Sequence, residues 1–390
     1  MPTALAADID QKQRNEDTAL RIASDCGDFK VDEALLESTS DVNTPNTQRL
    51  TLLISAASTG HTKVVSLVLS KGASTDLKAH DGSTALHFAC ANGMYEIVQI
   101  FLQNGTNIDM ADKDGWTPLM RTTSAVHNLV NLGASVGPVD NSGCRALHLA
   151  AKCGHRDVVR FLVELGEPIE AVDNAGFTPS TTAVSFCHSG VVDILLRMGV
   201  NIVKFLPSGT TALAISCCKG NYEMVRLLVE NNAAIVASDK DGNSPMMLAT
   251  LSSHLSIVEF LLQRGSSFDF ANKVGKKALI AASSNNHANV VTLLLKSGAN
   301  IMHQDIKDIT ALHVAYCHGH REIVEILVRK GSWPTIDIPD KDDNSSLILA
   351  STYGHILVVD CFCNVVSQLI LRTMLGSLRS YAHLCKVMLT

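Results

Sequence analysis

The chain has no surplus of positive charge: 32 lysines and arginines face 38 aspartates and glutamates, for a net charge of −6. Binding a polyanion needs a basic face, so nucleic acid is not expected among its partners. The first residues, MPTALAADIDQKQRNED, lack the apolar stretch of a secretory signal, and export is not expected. Long apolar runs are missing as well. The nearest, Ile356 to Leu371, is interrupted by Asp360, Asn364 and Gln368 and falls short of the roughly 20 residues that a spanning helix needs. It predicts a buried helix and no membrane insertion. The eleven cysteines follow no disulfide-scaffold spacing and read as reduced thiols, which predicts a cytoplasmic location with the nucleus as an alternative.

Catalytic signatures are equally scarce. The sequence has no G-x-x-x-x-G-K-S/T phosphate loop, no H-E-x-x-H zinc helix, no G-x-S-x-G elbow and no kinase set. With no cluster of titratable residues standing outside the surrounding pattern, no catalytic residue, cofactor or small-molecule substrate is expected. Asp337 to Ser346, DIPDKDDNSS, is acidic enough to suggest calcium. It lacks the glycine of the sixth loop position and has Ser351 where a bidentate glutamate belongs, so it reads as an acidic loop tip. Cys317, His318 and His320 in AYCHGHREIV look like the start of a zinc site, but no second pair supplies the remaining ligands, and no metal is expected.

What the sequence does have is a period. Leu20, Leu53, Leu86, Leu119, Leu147, Ser180, Leu213, Met246, Leu279, Leu312 and Leu347 form one column. Subtraction gives steps of 33 residues, apart from 28 between Leu119 and Leu147 and 35 at the end. Three residues on, the column reads Ala23, Ala56, Ala89, Ala150, Ala183, Ala249, Ala282, Ala315 and Ala350, with Ser216 as an exception. Side chains that small imply close helix-to-helix approach. Seven residues after the Leu column come Gly27, Gly60, Gly93, Gly154, Gly220, Gly319 and Gly354, with Asn286 in one copy, which suits a left-handed residue ending a first helix. Amphipathic segments such as RDVVRFLVELG and REIVEILVRKG then predict a second helix with one buried face. DKDG at Asp112 to Gly115 and Asp239 to Gly242, and DNAG at Asp173 to Gly176, supply turn formers for a hairpin-like loop. A Thr or Ser followed by Pro118, Pro179 or Pro245 reads as a helix cap with proline at the first helical position.

GCRALHLAAKCGHRDVVRFLVELG (Gly143 to Gly166), GWTPL (Gly115 to Leu119), GSTALHFACANG (Gly82 to Gly93) and TALHVAYCHGH (Thr310 to His320) together resemble the ankyrin repeat, with its T-P-L-H-x-A core in a unit of about 33 residues. The resemblance implies an all-α fold: an ankyrin-repeat solenoid of helix-turn-helix units with projecting hairpin-like loops. It also implies a concave groove that binds a protein partner without catalysis, as a scaffold or adaptor. The competing reading is the regulatory ankyrin portion of a larger enzyme or channel. His87, His148 and His313 stand at the T-P-L-H histidine, where structural hydrogen bonds are expected. His320 shares a column with His61, His155, His188, His254, His287 and His355, a position that in the family helps to bridge units.

The period divides the chain into a lead at 1–16, an array of about eleven repeats at 17–363 with one shortened near 119–146, and an atypical apolar tail or cap at 364–390. The shortened unit predicts a distorted, locally weak point. One residue after each unit-opening glycine, or its equivalent, stand Ser83, Trp116, Cys144, Phe177, Thr210, Asn243, Lys276, Ile309 and Asn344, expected to project from the loop tips as a stripe. Trp116 and Phe177 are the expected partner-binding anchors, because large aromatics dominate interface energy. Packing on neighbouring loops is their competing role. Lys113, Met120 and Arg121 extend the patch beside Trp116, and Asn243, Lys276 and Ile309 continue the row.

Overall fold

A computed structural model describes residues 18–37, 41–122, 126–200, 209–331, 338–361 and 363. The lead and the tail drawn above lie outside the described residues. The chain falls into two compact units, Met1–Asn201 and Ile202–Thr390.

Both units are stacks of helix pairs, and no strand occurs among the described residues. In the first unit the pairs are α1 (Ala19–Cys26) with α2 (Phe29–Leu36), α3 (Leu52–Thr59) with α4 (Thr62–Ser70), and α5 (Ala85–Ala91) with α6 (Tyr95–Gln103). There follow α7 (Pro118–Arg121) with α8 (Val126–Asn131), α9 (Ala146–Cys153) with α10 (Arg156–Glu164), and α11 (Pro179–Ser185) with α12 (Ser189–Arg197). The second unit holds α13 (Ala212–Lys219) with α14 (Tyr222–Glu230), α15 (Pro245–Leu251) with α16 (Leu255–Gln263), α17 (Ala278–Ser284) with α18 (Ala288–Lys296), and α19 (Ala311–Cys317) with α20 (Arg321–Arg329). Last comes α21 (Ser346–Thr352), followed by a helical stretch from Ile356.

Each first helix starts and stops where its sequence demands. Thr18, Thr51, Thr178, Thr211, Ser244, Thr310 and Ser345 accept a hydrogen bond from a backbone N–H of the first turn, and Pro118, Pro179 and Pro245 sit where no N–H is needed. Apart from α7, which ends at extended Thr122, these helices end at a left-handed residue. That residue is glycine in most copies, and Cys187, Ser253 and Asn286 adopt the same positive φ in theirs. The small-residue column lies on the face where successive first helices meet, and every member from Ala23 to Ala350 is buried. Second helices bury residues spaced i, i+1 and i+4, as in Val158, Val159 and Leu162, or Ile323, Val324 and Leu327. Burying one such side chain contributes about 2 kcal/mol, so a lone pair with a handful of them cannot offset its ordering entropy, and stacking is obligatory.

The 28-residue step is visible as stunted helices. Ordinary first helices run seven or eight residues and most second helices nine, whereas α7 has four and α8 six. A cavity of about 140 Å³ opens between this pair and the next, lined by Met120, Val126, Leu149, Val158, Leu162 and His155. Of the helix expected at Ile356 to Leu371, Ile356 to Cys361 and Cys363 are helical and the rest lies outside the described residues; the described part is not buried throughout. Val358 is covered, while Ile356 is 72% exposed and Leu357 is 63% exposed.

Candidate protein-interaction site

The loops between pairs are built by one acidic or amide side chain each. In the first unit Asp112 Oδ1 accepts from the N–H groups of Asp114 and Trp116, while the Asp112 N–H donates to the Trp116 carbonyl. Asp140 does the same for Ser142 and Cys144, and Asp173 for Ala175 and Phe177. Gly115, at φ +82°, reverses the chain between them, and a Cβ there would lie 2.9 Å from the Asn141 nitrogen of the next loop. The loops stack on that close approach, with Lys113 N–H donating to Asp81 O, Asn141 N–H to Asp114 O and Asn174 N–H to Ser142 O.

This turn corrects the expected loop-tip stripe. The tips are the residues before the glycine, such as Lys113 and Asp114, which are exposed; the residue after it lies on the returning leg, at the loop base. Ser83 is 2% exposed, and Trp116, Cys144 and Phe177 are half-buried. In the second unit Asn243, Lys276 and Ile309 hold the same half-buried place, donating to Asp239, Asn272 and Asp305. Met120 is 6% exposed and belongs to the core, so it supports the patch from beneath instead of offering surface.

Histidines from the preceding repeat fix where the two aromatic residues stand. His87 and His148, each 1% exposed, place Nε2 3.0 Å from the Trp116 carbonyl and 3.1 Å from the Phe177 carbonyl. Their Nδ1 atoms accept from the N–H of Thr84 and Arg145, which sets the tautomer and makes Nε2–H the donor. Burial lowers both histidine pKa values, in keeping with neutral rings. In the second unit His313 makes the same pair of bonds, to Thr310 and to Ile338.

Trp116 and Phe177 line one cavity of about 400 Å³ in the first unit. The floor includes Cys144, His148 and Leu149, and Ser185 and Phe186 contribute from α11. Phe186 is 50% exposed and carries Lys152 Nζ 5.4 Å from its ring centroid. Asp114, Asp140 and Asp173 bring three carboxylates against that single ammonium. The potential is felt by Cys144, whose thiol pKa is pushed up to about 11 by burial and then by Asp140 and Asp173. Arg121 lies outside this cavity, over the Trp116 ring at 5.0 Å, with Nε and Nη2 both donating to Asp112 Oδ2. Lys152 and Phe186 were not expected as part of the site, and Cys144 was expected only as a member of the loop-tip row. The cavity-forming loops share an Asp four residues before the returning-leg residue, but Asp239 and Asp305 of the second unit have the same spacing, so it marks the loop type and not this site.

The CHGH residues are occupied elsewhere. His318 Nδ1 lies 2.8 Å from the Val314 carbonyl, and His320 Nε2 3.1 Å from the Ser284 carbonyl of the preceding repeat. The latter bond recurs down its column: His61 to Asp25, His188 to Lys152, His254 to Cys218, His287 to Leu251 and His355 to Cys317. His155 departs from it. It follows the stunted pair, and its buried Nε2 meets no partner among the described residues. Also among the described residues, no group of three His, Cys, Asp or Glu side chains could hold a metal ion, and no helix is long and apolar enough to cross a membrane.

A family model described as ankyrin repeats in three copies matches residues 3–79, 67–132, 121–205, 199–272 and 278–367, most of the chain. No curated protein matches the chain at a significant level of similarity.

Proposed function

Because this chain belongs to the ankyrin repeat family, whose members are typically protein–protein interaction modules, we propose that it is a non-enzymatic scaffold or adaptor holding a protein partner on its loop and first-helix face. The observation that carries this reading is the convergence of Trp116 and Phe177 on a single open cavity of about 400 Å³, on loops held in place by buried histidines. Aromatic residues presented on a rigid frame lose little entropy on binding, which is how interface hot spots work. Lys113 at its loop tip and Arg121 against Trp116 extend the same surface. Asn243, Lys276 and Ile309 offer an equivalent row on the second unit. The array is taken to run from residue 17 to 363, and the working compartment to be the cytoplasm or nucleus.

The test is affinity capture from the native cell with the intact chain and with a Trp116→Ala, Phe177→Ala variant shown by circular dichroism to be folded. A hot-spot pair contributes at least about 2 kcal/mol, so partners should bind roughly thirtyfold more weakly to the variant. Equal capture by both proteins would remove this site from the reading.

A further inference from the structure

Two loops of the first unit share a pattern that is completed in one and left open in the other. In the first, Asp112, Trp116 and Arg121 are spaced by four and five residues, and the Arg121 guanidinium stacks on the Trp116 ring while donating twice to Asp112 Oδ2. In the second, Asp173, Phe177 and Thr182 have the same spacing. Asp173 Oδ1 is used, as Asp112 Oδ1 is, by backbone N–H groups of its loop. Its Oδ2, which in Asp112 receives the guanidinium, meets only the weak S–H donor of Cys144 at 3.8 Å among the described residues. Thr182 makes no bond to it among the described residues, and Asp173, Phe177 and Thr182 all line the cavity of about 400 Å³.

We propose that this cavity receives an arginine side chain of a protein partner, its guanidinium on Asp173 Oδ2 and against the Phe177 ring, as Arg121 sits on Asp112 and Trp116. The proposal rests on the reading of this face as a partner-binding surface. Charge complementarity favours a cation over an apolar or acidic side chain: Asp114, Asp140 and Asp173 face one ammonium, Lys152, which is held over Phe186. A planar, weakly hydrated guanidinium suits an aromatic face with an adjacent carboxylate better than a compact ammonium does. The internal arginine of the preceding loop is the template for that geometry.

The experiment titrates the full chain with the peptide acetyl-Gly-Ser-Arg-Ser-Gly-amide and with its Gln analogue. The readout is the indole N–H signal of Trp116 in two-dimensional NMR. The chain has two tryptophans, and a Trp333→Phe variant assigns the signal. The arginine peptide should shift it saturably and the Gln peptide should not. Thr182→Arg, which supplies the cation internally, should abolish the shift, and Asp173→Asn, which keeps the loop acceptor and removes the charge, should weaken binding about tenfold. No shift with the arginine peptide, an equal shift with the Gln peptide, or wild-type affinity in both folded variants overturns the proposal. If Trp116→Ala, Phe177→Ala loses its captured partners while Thr182→Arg keeps them all, only the arginine inference fails. If the double variant keeps them, the reading beneath it fails too.

Discussion

Replacing His148 with alanine isolates what a single T-P-L-H histidine contributes. The side chain is 1% exposed and makes two bonds of different kinds: Nδ1 takes the Arg145 N–H within its own repeat, at 3.3 Å, and Nε2–H reaches the Phe177 carbonyl of the next, at 3.1 Å. Each neutral bond contributes about 1 kcal/mol net, and the partners left behind are only partly able to turn to water. Loss of the ring also opens space beneath Leu149 and the loop, which adds about 1 kcal/mol. The sum is a destabilisation of about 3 kcal/mol, which for a unit of this size is a fall of roughly 6–12 °C in melting temperature. Thermal unfolding by circular dichroism, with proteolysis or hydrogen exchange to confirm that the first unit is the part affected, measures it directly. A loss below about 1 kcal/mol in a folded variant would refute the claim that these histidines tie adjacent repeats together.

Two further outcomes follow from the same contacts. His87, His148, His313 and His320 all have pKa values lowered by burial from the ordinary 6.5. Between 6.5 and those lower values the unfolded chain binds more protons than the folded one, so stability is full above about pH 6.5 and declines as the pH drops toward the folded values. Asp81 and Asp340, with lowered pKa values, begin to add to the loss only below 3.8, and Glu167, raised from 4.5, acts in the opposite direction. A urea midpoint unchanged from pH 8 to pH 5.5 contradicts the buried, neutral assignment. Gly220 and Gly265 both have positive φ, +74° and +81°, yet a Cβ on Gly220 would lie 2.3 Å from the His254 ring and one on Gly265 would meet nothing within 4 Å. Gly265→Ala should cost about 1 kcal/mol of left-handed strain, and Gly220→Ala at least about 2 kcal/mol more, because the His254 bond to Cys218 must shift. Equal urea midpoints for the two variants would remove the His254 contact as the cause.

The repeat was legible because its cause is local and recurs. Ala56, Ala89 and Ala150 are small because first helices touch there, and the left-handed glycines close those helices; both constraints leave a mark in every copy. The histidine column was legible as a column. That its members reach a carbonyl 36 or 38 residues back depends on register in three dimensions, which no single copy displays. The loop residues were placed on the wrong part of the turn, because periodicity gives spacing and not direction. The reversal at the positive-φ glycine puts Trp116 and Phe177 on the returning leg, where Asp112 and Asp173 hold their N–H groups. The opening at Asp173 Oδ2 reflects what is absent from one loop among the described residues, a cationic partner, and this becomes visible only beside the loop where Arg121 supplies one.

The stunted pair α7 and α8 also has a mechanical meaning. Two junctions of the first unit are riveted by a histidine reaching back to a carbonyl, His61 to Asp25 and His188 to Lys152, but at this seam His155 Nε2 engages nothing among the described residues, and a cavity of about 140 Å³ replaces solid packing. A stack of repeats stretched along its length yields first at its weakest seam, and here the seam borders Trp116. Tension on the first unit is therefore expected to deform the face proposed for a partner before it unravels any full-length helix pair, so that a load on the unit changes this surface while the rest of it stays folded.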